Sequence, residues 1–179
     1  HKPLSNFWNY QMYIILFPKL IAGPIVRYHE ISDQVSDRSA NYTIDNILAG
    51  FYRFCIGLGK KVFIANVMAA KADLIFSSDL ATITAGTAWL GALTYTFQIY
   101  FDFSGYSDMA IGLGRMFGFH FRENFEYPYI SKSISEFWRR WHISLGSIFR
   151  DYVYIPLGGN KKRVYWNLFV VWFLTGMWH

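Results

Sequence analysis

Charge is what this chain carries least of. Asp, Glu, Lys and Arg make up 16% of its 179 residues, against about a quarter in a soluble domain. With 53% hydrophobic and 21% aromatic residues, that deficit argues against a globular cytosolic protein and for a membrane protein. Cysteine is almost missing. Cys55 alone excludes an internal disulfide and any multi-cysteine metal site, and it reads as a small buried hydrophobe. Acidic side chains are outnumbered, 12 against 17 basic ones, for a net charge of +5. A basic excess can signal nucleic acid, but Lys60-Lys61 and Lys161-Lys162-Arg163 stand at the edges of apolar segments. Cytoplasmic loops of membrane proteins carry positive clusters there. The expected partner is therefore a lipid bilayer and not nucleic acid. No leader peptide can be read, because the chain opens on His1 instead of Met and the true N-terminus is expected to lie upstream. The apolar run VYWNLFVVWFLTGMW (164–178) has 15 residues, short of the roughly 20 that span a bilayer. We read 1–179 as part of one domain, truncated at both ends.

The motifs of soluble enzymes are missing as well. GLGKK (57–61) lacks the upstream glycine and the following Ser or Thr of a phosphate loop. GLGRMFG (112–118) misplaces its last glycine for a dinucleotide fingerprint, and no strand precedes it. His29-Glu30 has no second histidine at metalloprotease spacing, and no metal site is expected. Asn41-Tyr42-Thr43 matches a glycosylation triplet that is common by chance.

What remains is a succession of oily segments. FWNYQMYIILFPKLIAGPIV (7–26) reads as a membrane-embedded helix broken near Pro18, since proline removes a backbone donor and kinks a helix. Residues 27–43 are polar and read as a loop. A helix is expected to start near Thr43, with Asp45 in its first turn favouring the positive end of the dipole. It would run through residue 76 as an interfacial or partly inserted element, its lysines snorkelling to headgroups. AGTAWLGALTYTFQIYF (85–101) is the clearest span. Ser133 and Glu136 form a capping-box signal. Continued as a helix, Trp138, Trp141, His142, Leu145 and Phe149 would share one face, with Glu136 and Arg140 paired on another. Pro156, Gly158 and Gly159 should end that structure.

Two histidines follow tryptophans, His142 in WH and His179 in MWH. Either could be structural, but an ionisable group at membrane depth marks a functional site by default. His179 closes a run whose obviously polar side chains are otherwise only Asn167 and Thr175. A neutral imidazole can accept a proton from a hydroxyl at physiological pH. Neither a cysteine nucleophile nor a G-x-S-x-G elbow accompanies it, which favours direct transfer to an acceptor hydroxyl. Asp102, Ser104, Tyr106 and Asp108 could line a polar cavity, or the two aspartates could satisfy donors at a helix terminus. Arg139, Arg140 and Arg150 could pair with Glu136 and Asp151, bind lipid phosphates, or hold the phosphates of a nucleotide-bearing acyl carrier.

In these residues the chain resembles the membrane-bound O-acyltransferase family, and within it the bacterial branch concerned with alginate O-acetylation. The resemblance is carried by FPKLIAGPIVRY (17–28), QIYFDFSGYSDMAIGLGRMFGF (98–119), ENFEYPYISKSISEFWRRWHISLG (123–146), FRDYVYIPLGGN (149–160) and TGMWH (175–179). It implies an all-α, polytopic integral membrane protein whose helices surround a funnel and tunnel, with re-entrant or interfacial helices. Charged and non-helical backbone is tolerated at depth only where it faces protein or water. WRRWH would then bring His142, Trp138 and Trp141 near the tunnel and leave Arg139 and Arg140 toward its cytoplasmic mouth. The signature histidines fall on His142 and His179, the essential catalytic one on His179. Also implied are a multi-pass location in a bacterial inner membrane and no bound cofactor. Acetyl-CoA would be the thioester donor, and an exported polysaccharide with SGNH-like extracytoplasmic proteins would be the partners. D-alanyl transfer to teichoic acid is the alternative within the family. From another class, a transporter or channel could use a pathway lined by Asp102, Asp108 and His142.

Overall fold

A computed structural model of the chain describes residues 6–20, 23–79 and 83–178. Its described elements are helical, with no strand among them. They fall into two compact units, His1–Arg122 and Glu123–His179.

In the first unit, α1 (Phe7–Ile15) begins where Asn6 accepts a hydrogen bond from the Trp8 amide. It stops at Leu16, and a single 3-10 turn over Phe17–Lys19 carries Pro18. The break near Pro18 is where proline chemistry puts it, but the helix before it is only 9 residues long. The expected embedded helix over 7–26 does not form. Two of its residues serve a core instead: Leu16 and Val26 pack with Ile31, Val35, Ile111, Phe119 and Phe121. Burying each such side chain contributes about 1.5–3 kcal/mol, and the Tyr13 hydroxyl ties α1 to the segment's end by donating to the Val26 carbonyl at 2.8 Å.

The polar stretch expected to be a loop contains α2 (Tyr28–Ser36). Ile31 and Val35, four apart, put one apolar stripe into that core. Glu30 accepts from the Arg27 amide at the helix start. Two core-facing residues and a cap outweigh an otherwise hydrophilic sequence.

Thr43 begins α3 (Ile44–Gly59), as its position before Asp45 suggests, by accepting from the Asn46 amide. A π-helical turn over Lys60–Ala65 joins α3 to α4 (Asn66–Phe76) without a break. Opposite them runs α5 (Ala85–Met116), 32 residues long. The expected span 85–101 is its first half, and the glycine- and aspartate-bearing stretch after it stays helical. Asp102 and Asp108 therefore lie inside the helix and not at a terminus. Among the described residues, no helix is long and apolar enough to cross a membrane.

The α3–α5 contact is antiparallel and unusually close. A Cβ added to Gly57 would lie 2.5 Å from the Gly105 carbonyl oxygen, and one on Gly50 2.6 Å from that of Gly112. The absent side chains let the two backbones touch, and longer polar ones clasp the flanks. Asn46 accepts two hydrogen bonds from Arg115 at 3.1 Å. Arg53 and Lys60 both reach Asp108, at 2.8 and 2.5 Å, and Lys61 pairs with Asp102. Lys60 and Lys61 were expected to snorkel to headgroups. With Arg53 they turn to carboxylates instead, because the close helix contact brings α5 within their reach. Cys55, expected to be buried, is exposed, since the glycines and not the cysteine form the contact face.

In the second unit, α6 (Ile134–Arg140) and α7 (Ile143–Phe149) are separated by two non-helical residues. A π-helical turn over Arg150–Tyr154 follows α7. Gly158 and Gly159 then take positive φ and lead, through a 3-10 turn at Gly159–Lys161, to α8 (Val164–Trp178). Buried Asn167 anchors that start by donating to the Gly159 and Lys162 carbonyls at 3.0 and 2.7 Å.

Candidate functional site: a buried histidine at a helix break

The stretch WRRWHISLG does not continue as one helix. Trp141 is extended, with φ −102° and ψ 126°, and His142 takes the left-handed region at φ 45°, ψ 53°. The expected single face of Trp138, Trp141, His142, Leu145 and Phe149 is therefore not formed. A left-handed non-glycine residue costs about 1–3 kcal/mol and persists only where its surroundings impose it. Here the surroundings are visible.

Asn124 imposes it. This residue is fully buried and lies 18 positions upstream of His142. Its backbone carbonyl accepts from the Ile143 amide at 2.9 Å. Its side-chain oxygen accepts from the Ser144 amide at 3.2 Å and from the Ser144 hydroxyl at 2.8 Å. Those amides are the first donors of α7, which have no partner within their own helix. Asn124 thus caps α7 from a distance. The same side-chain oxygen lies 3.1 Å from His142 Nδ1. His142 keeps only 8% of its surface exposed, and Phe125 stacks on its ring at 6.4 Å between centroids.

Aromatic side chains wall the break. Trp141 stacks with Phe137 at 5.6 Å and meets Phe125 edge-on at 5.0 Å. Trp138 meets Trp172 of α8 edge-on at 4.7 Å. Such pairs add about 0.5–1.5 kcal/mol beyond the area they bury. They fix the ring planes on both sides of the turn.

The arginines are held locally. Arg140 pairs with Glu136 at 2.9 Å and donates to the Glu126 carbonyl at 3.1 Å. Arg139 donates to the Ser135 carbonyl, and Arg150 pairs with Asp151 at 2.7 Å. The expected Glu136–Arg140 and Arg150–Asp151 pairs are both present. Ser133 caps α6 as its spacing predicts, but Glu136 reaches back one residue further, to the Lys132 amide at 2.9 Å. That hydrogen bond, with Arg140 second, holds the Glu136 carboxyl below its ordinary pKa.

The remaining candidates lie in the first unit. Asp102 and Asp108 are occupied by the ion pairs already described, and Tyr106 is exposed. Ser104 is buried on α5, with no hydrogen-bond partner for its hydroxyl. His179 lies outside the described residues. Among the described residues, no group of His, Cys, Asp and Glu could hold a metal ion. The sequence reading missed Asn124. A lone amide in ENFEYPY gives no local sign that it will meet a histidine turn at the end of another element.

A histidine held buried in a strained turn by a neutral amide suits proton handling or hydrogen bonding to a reacting group. Comparison with known proteins gives that centre a context. The family model for membrane-bound O-acyltransferases matches residues 2–179. The chain belongs to the membrane-bound O-acyltransferase family. It is 54% identical over 177 residues to a Pseudomonas fluorescens protein named "Probable alginate O-acetylase AlgI", covering 97% of this chain and 35% of that one. It is 47% identical to a Helicobacter pylori peptidoglycan O-acetyltransferase, covering 98% of this chain and 34% of the relative. A Bacillus subtilis teichoic acid D-alanyltransferase is 31% identical, with 93% and 45% covered. The chain thus spans about a third of the length of its O-acetylating relatives. Membership of a membrane-bound family also accounts for the exposed aromatic and aliphatic surface of α8, where Tyr165, Trp166, Phe169, Trp172 and Phe173 face outward.

Proposed function

We propose that this chain is part of a membrane O-acyltransferase that moves an acetyl group from a thioester to a hydroxyl of an exported cell-surface glycan. The observation that carries the reading is a family match over the chain combined with high identity to relatives named for O-acetylation. Acetyl-CoA supplied from the cytoplasmic side is the donor in this reading, and alginate or a similar polysaccharide is the acceptor. The enzyme sits in a bacterial inner membrane as a multi-pass protein, working with SGNH-like extracytoplasmic partners.

In this mechanism the acceptor oxygen attacks the thioester carbonyl while its proton passes to the His179 imidazole. The C–S bond then breaks, and the imidazolium returns that proton to the departing sulfur, which leaves as the thiol. His142 assists by hydrogen bonding or positioning at the reacting groups. D-alanyl transfer is supported by the Bacillus relative, but at 31% identity against 54% and 47% for the acetylating relatives.

The test is transfer of radiolabelled acetyl from acetyl-CoA by the complete protein in lipid nanodiscs. Wild type should transfer acetyl or hydrolyse the thioester, and binding without turnover would favour a transporter. His179→Ala should insert normally and lose transfer. Full activity in that variant would remove the assignment of the general base.

A further inference from the structure

We propose that Asn124 is a positioning residue for His142, fixing the imidazole as its Nδ1–H tautomer so that Nε2 carries the lone pair. This rests on the reading that His142 takes part in acyl transfer. The geometry supplies the assignment. The Ser144 backbone N–H can only donate, and it points at one side-chain atom of Asn124 at 3.2 Å. That atom must therefore be the amide oxygen, because an NH2 group there would set donor against donor. The same oxygen lies 3.1 Å from His142 Nδ1. An amide oxygen cannot donate, so Nδ1 must carry the hydrogen. In a neutral imidazole the acceptor is then Nε2.

Each part of the cluster contributes. Ser144 donates twice to the Asn124 oxygen, through its amide and its hydroxyl, which prevents the amide from rotating its NH2 group toward the ring. The Asn124 backbone carbonyl holds the Ile143 amide at 2.9 Å, which fixes the turn that aims the imidazole. The residue type matters as well. A carboxylate could accept the same hydrogen bonds but would favour imidazolium, whereas an amide orients the ring without adding charge.

The experiment uses the complete protein, labelled with 15N-histidine, in lipid nanodiscs. His142 ring signals are assigned by their loss in His142→Ala. At a pH where the ring is neutral, wild type should show a protonated Nδ1 and an unprotonated Nε2. Asn124→Leu removes the acceptor at similar volume. It should lose the Nδ1–H preference and lower kcat for acetyl transfer by at least about tenfold, with KM for the thioester little changed. A wild-type proton on Nε2, or an unchanged tautomer in Asn124→Leu, overturns the inference. If Asn124→Leu does not insert, Asn124→Asp decides. A retained, more strongly hydrogen-bonded Nδ1–H supports the positioning role, and an unprotonated Nδ1 overturns it. If Asn124→Leu shifts the tautomer and transfer stays at the wild-type level, the positioning role stands and the catalytic part given to His142 falls.

Discussion

The two compact units bury their polar groups by opposite means. Between α3 and α5, charge meets charge: Asp108 sits between Arg53 and Lys60, and Asp102 takes Lys61. At the break between α6 and α7, the buried polar centre is built on an amide that holds an imidazole and a serine. A carboxylate clasped by two cations is committed to holding helices together, because releasing it strands charges away from water. A neutral amide can orient a histidine without adding a charge beside it. The contrast separates polar residues that build the scaffold from those suited to chemistry.

The sharpest way to break this contrast is to neutralise Asp108. Asp108→Asn strands Arg53 and Lys60 against a side chain only 14% exposed. It should cost about 3 kcal/mol, the lower end for breaking a buried pair, seen as a lower thermal midpoint in detergent. Stability near wild type would show that the cations were solvated all along.

Gly57→Ala tests the close backbone contact without touching a charge. Its Cβ would fall 2.5 Å from the Gly105 carbonyl, and we expect a loss of about 1–3 kcal/mol from overpacking. Gly59→Ala, where the nearest atom is the Phe63 ring at 3.8 Å, is the matched control and should be near neutral.

Asp102→Asn should matter less than Asp108→Asn. The Lys61 and Asp102 side chains are 41% and 36% exposed, and an exposed pair is worth about 0–1 kcal/mol. Equal losses from the two aspartate variants would erase the distinction between the rungs.

The smallest effect is electrostatic and local to α6. Because folding lowers the Glu136 pKa, its contribution is complete above the ordinary glutamate range and is lost as pH falls through the lowered value. The Lys132 amide resonance should move upfield over that acid window and stay put in Glu136→Gln. A titration near the ordinary glutamate value would mean the Lys132 hydrogen bond is not maintained.

How much of this was legible depended on distance along the chain. Thr43 before Asp45 and Ser133 before Glu136 announced helix starts because capping works over three residues. The Glu136–Arg140 pair was legible for the same reason, since i and i+4 are neighbours on any helix. The helix over 28–36 was missed because its evidence is Ile31 and Val35 alone, and their value depends on Phe119 and Phe121 elsewhere. Lys60 and Lys61 looked like groups reaching for lipid headgroups until the glycines brought α5 beside them. The face drawn through Trp138 and His142 failed because Asn124 rewards a left-handed turn there.

By itself the sequence determined the helical class, the family, the local caps and the two histidines worth asking about. All of these are written in spacing and residue type, within reach of a single element. Only the tertiary structure decided that Asp102 and Asp108 are ion-paired rungs, that Cys55 faces outward, and that an amide 18 residues away holds His142. A hydrogen bond's worth depends on who arrives at its other end, and that is settled only when distant segments pack.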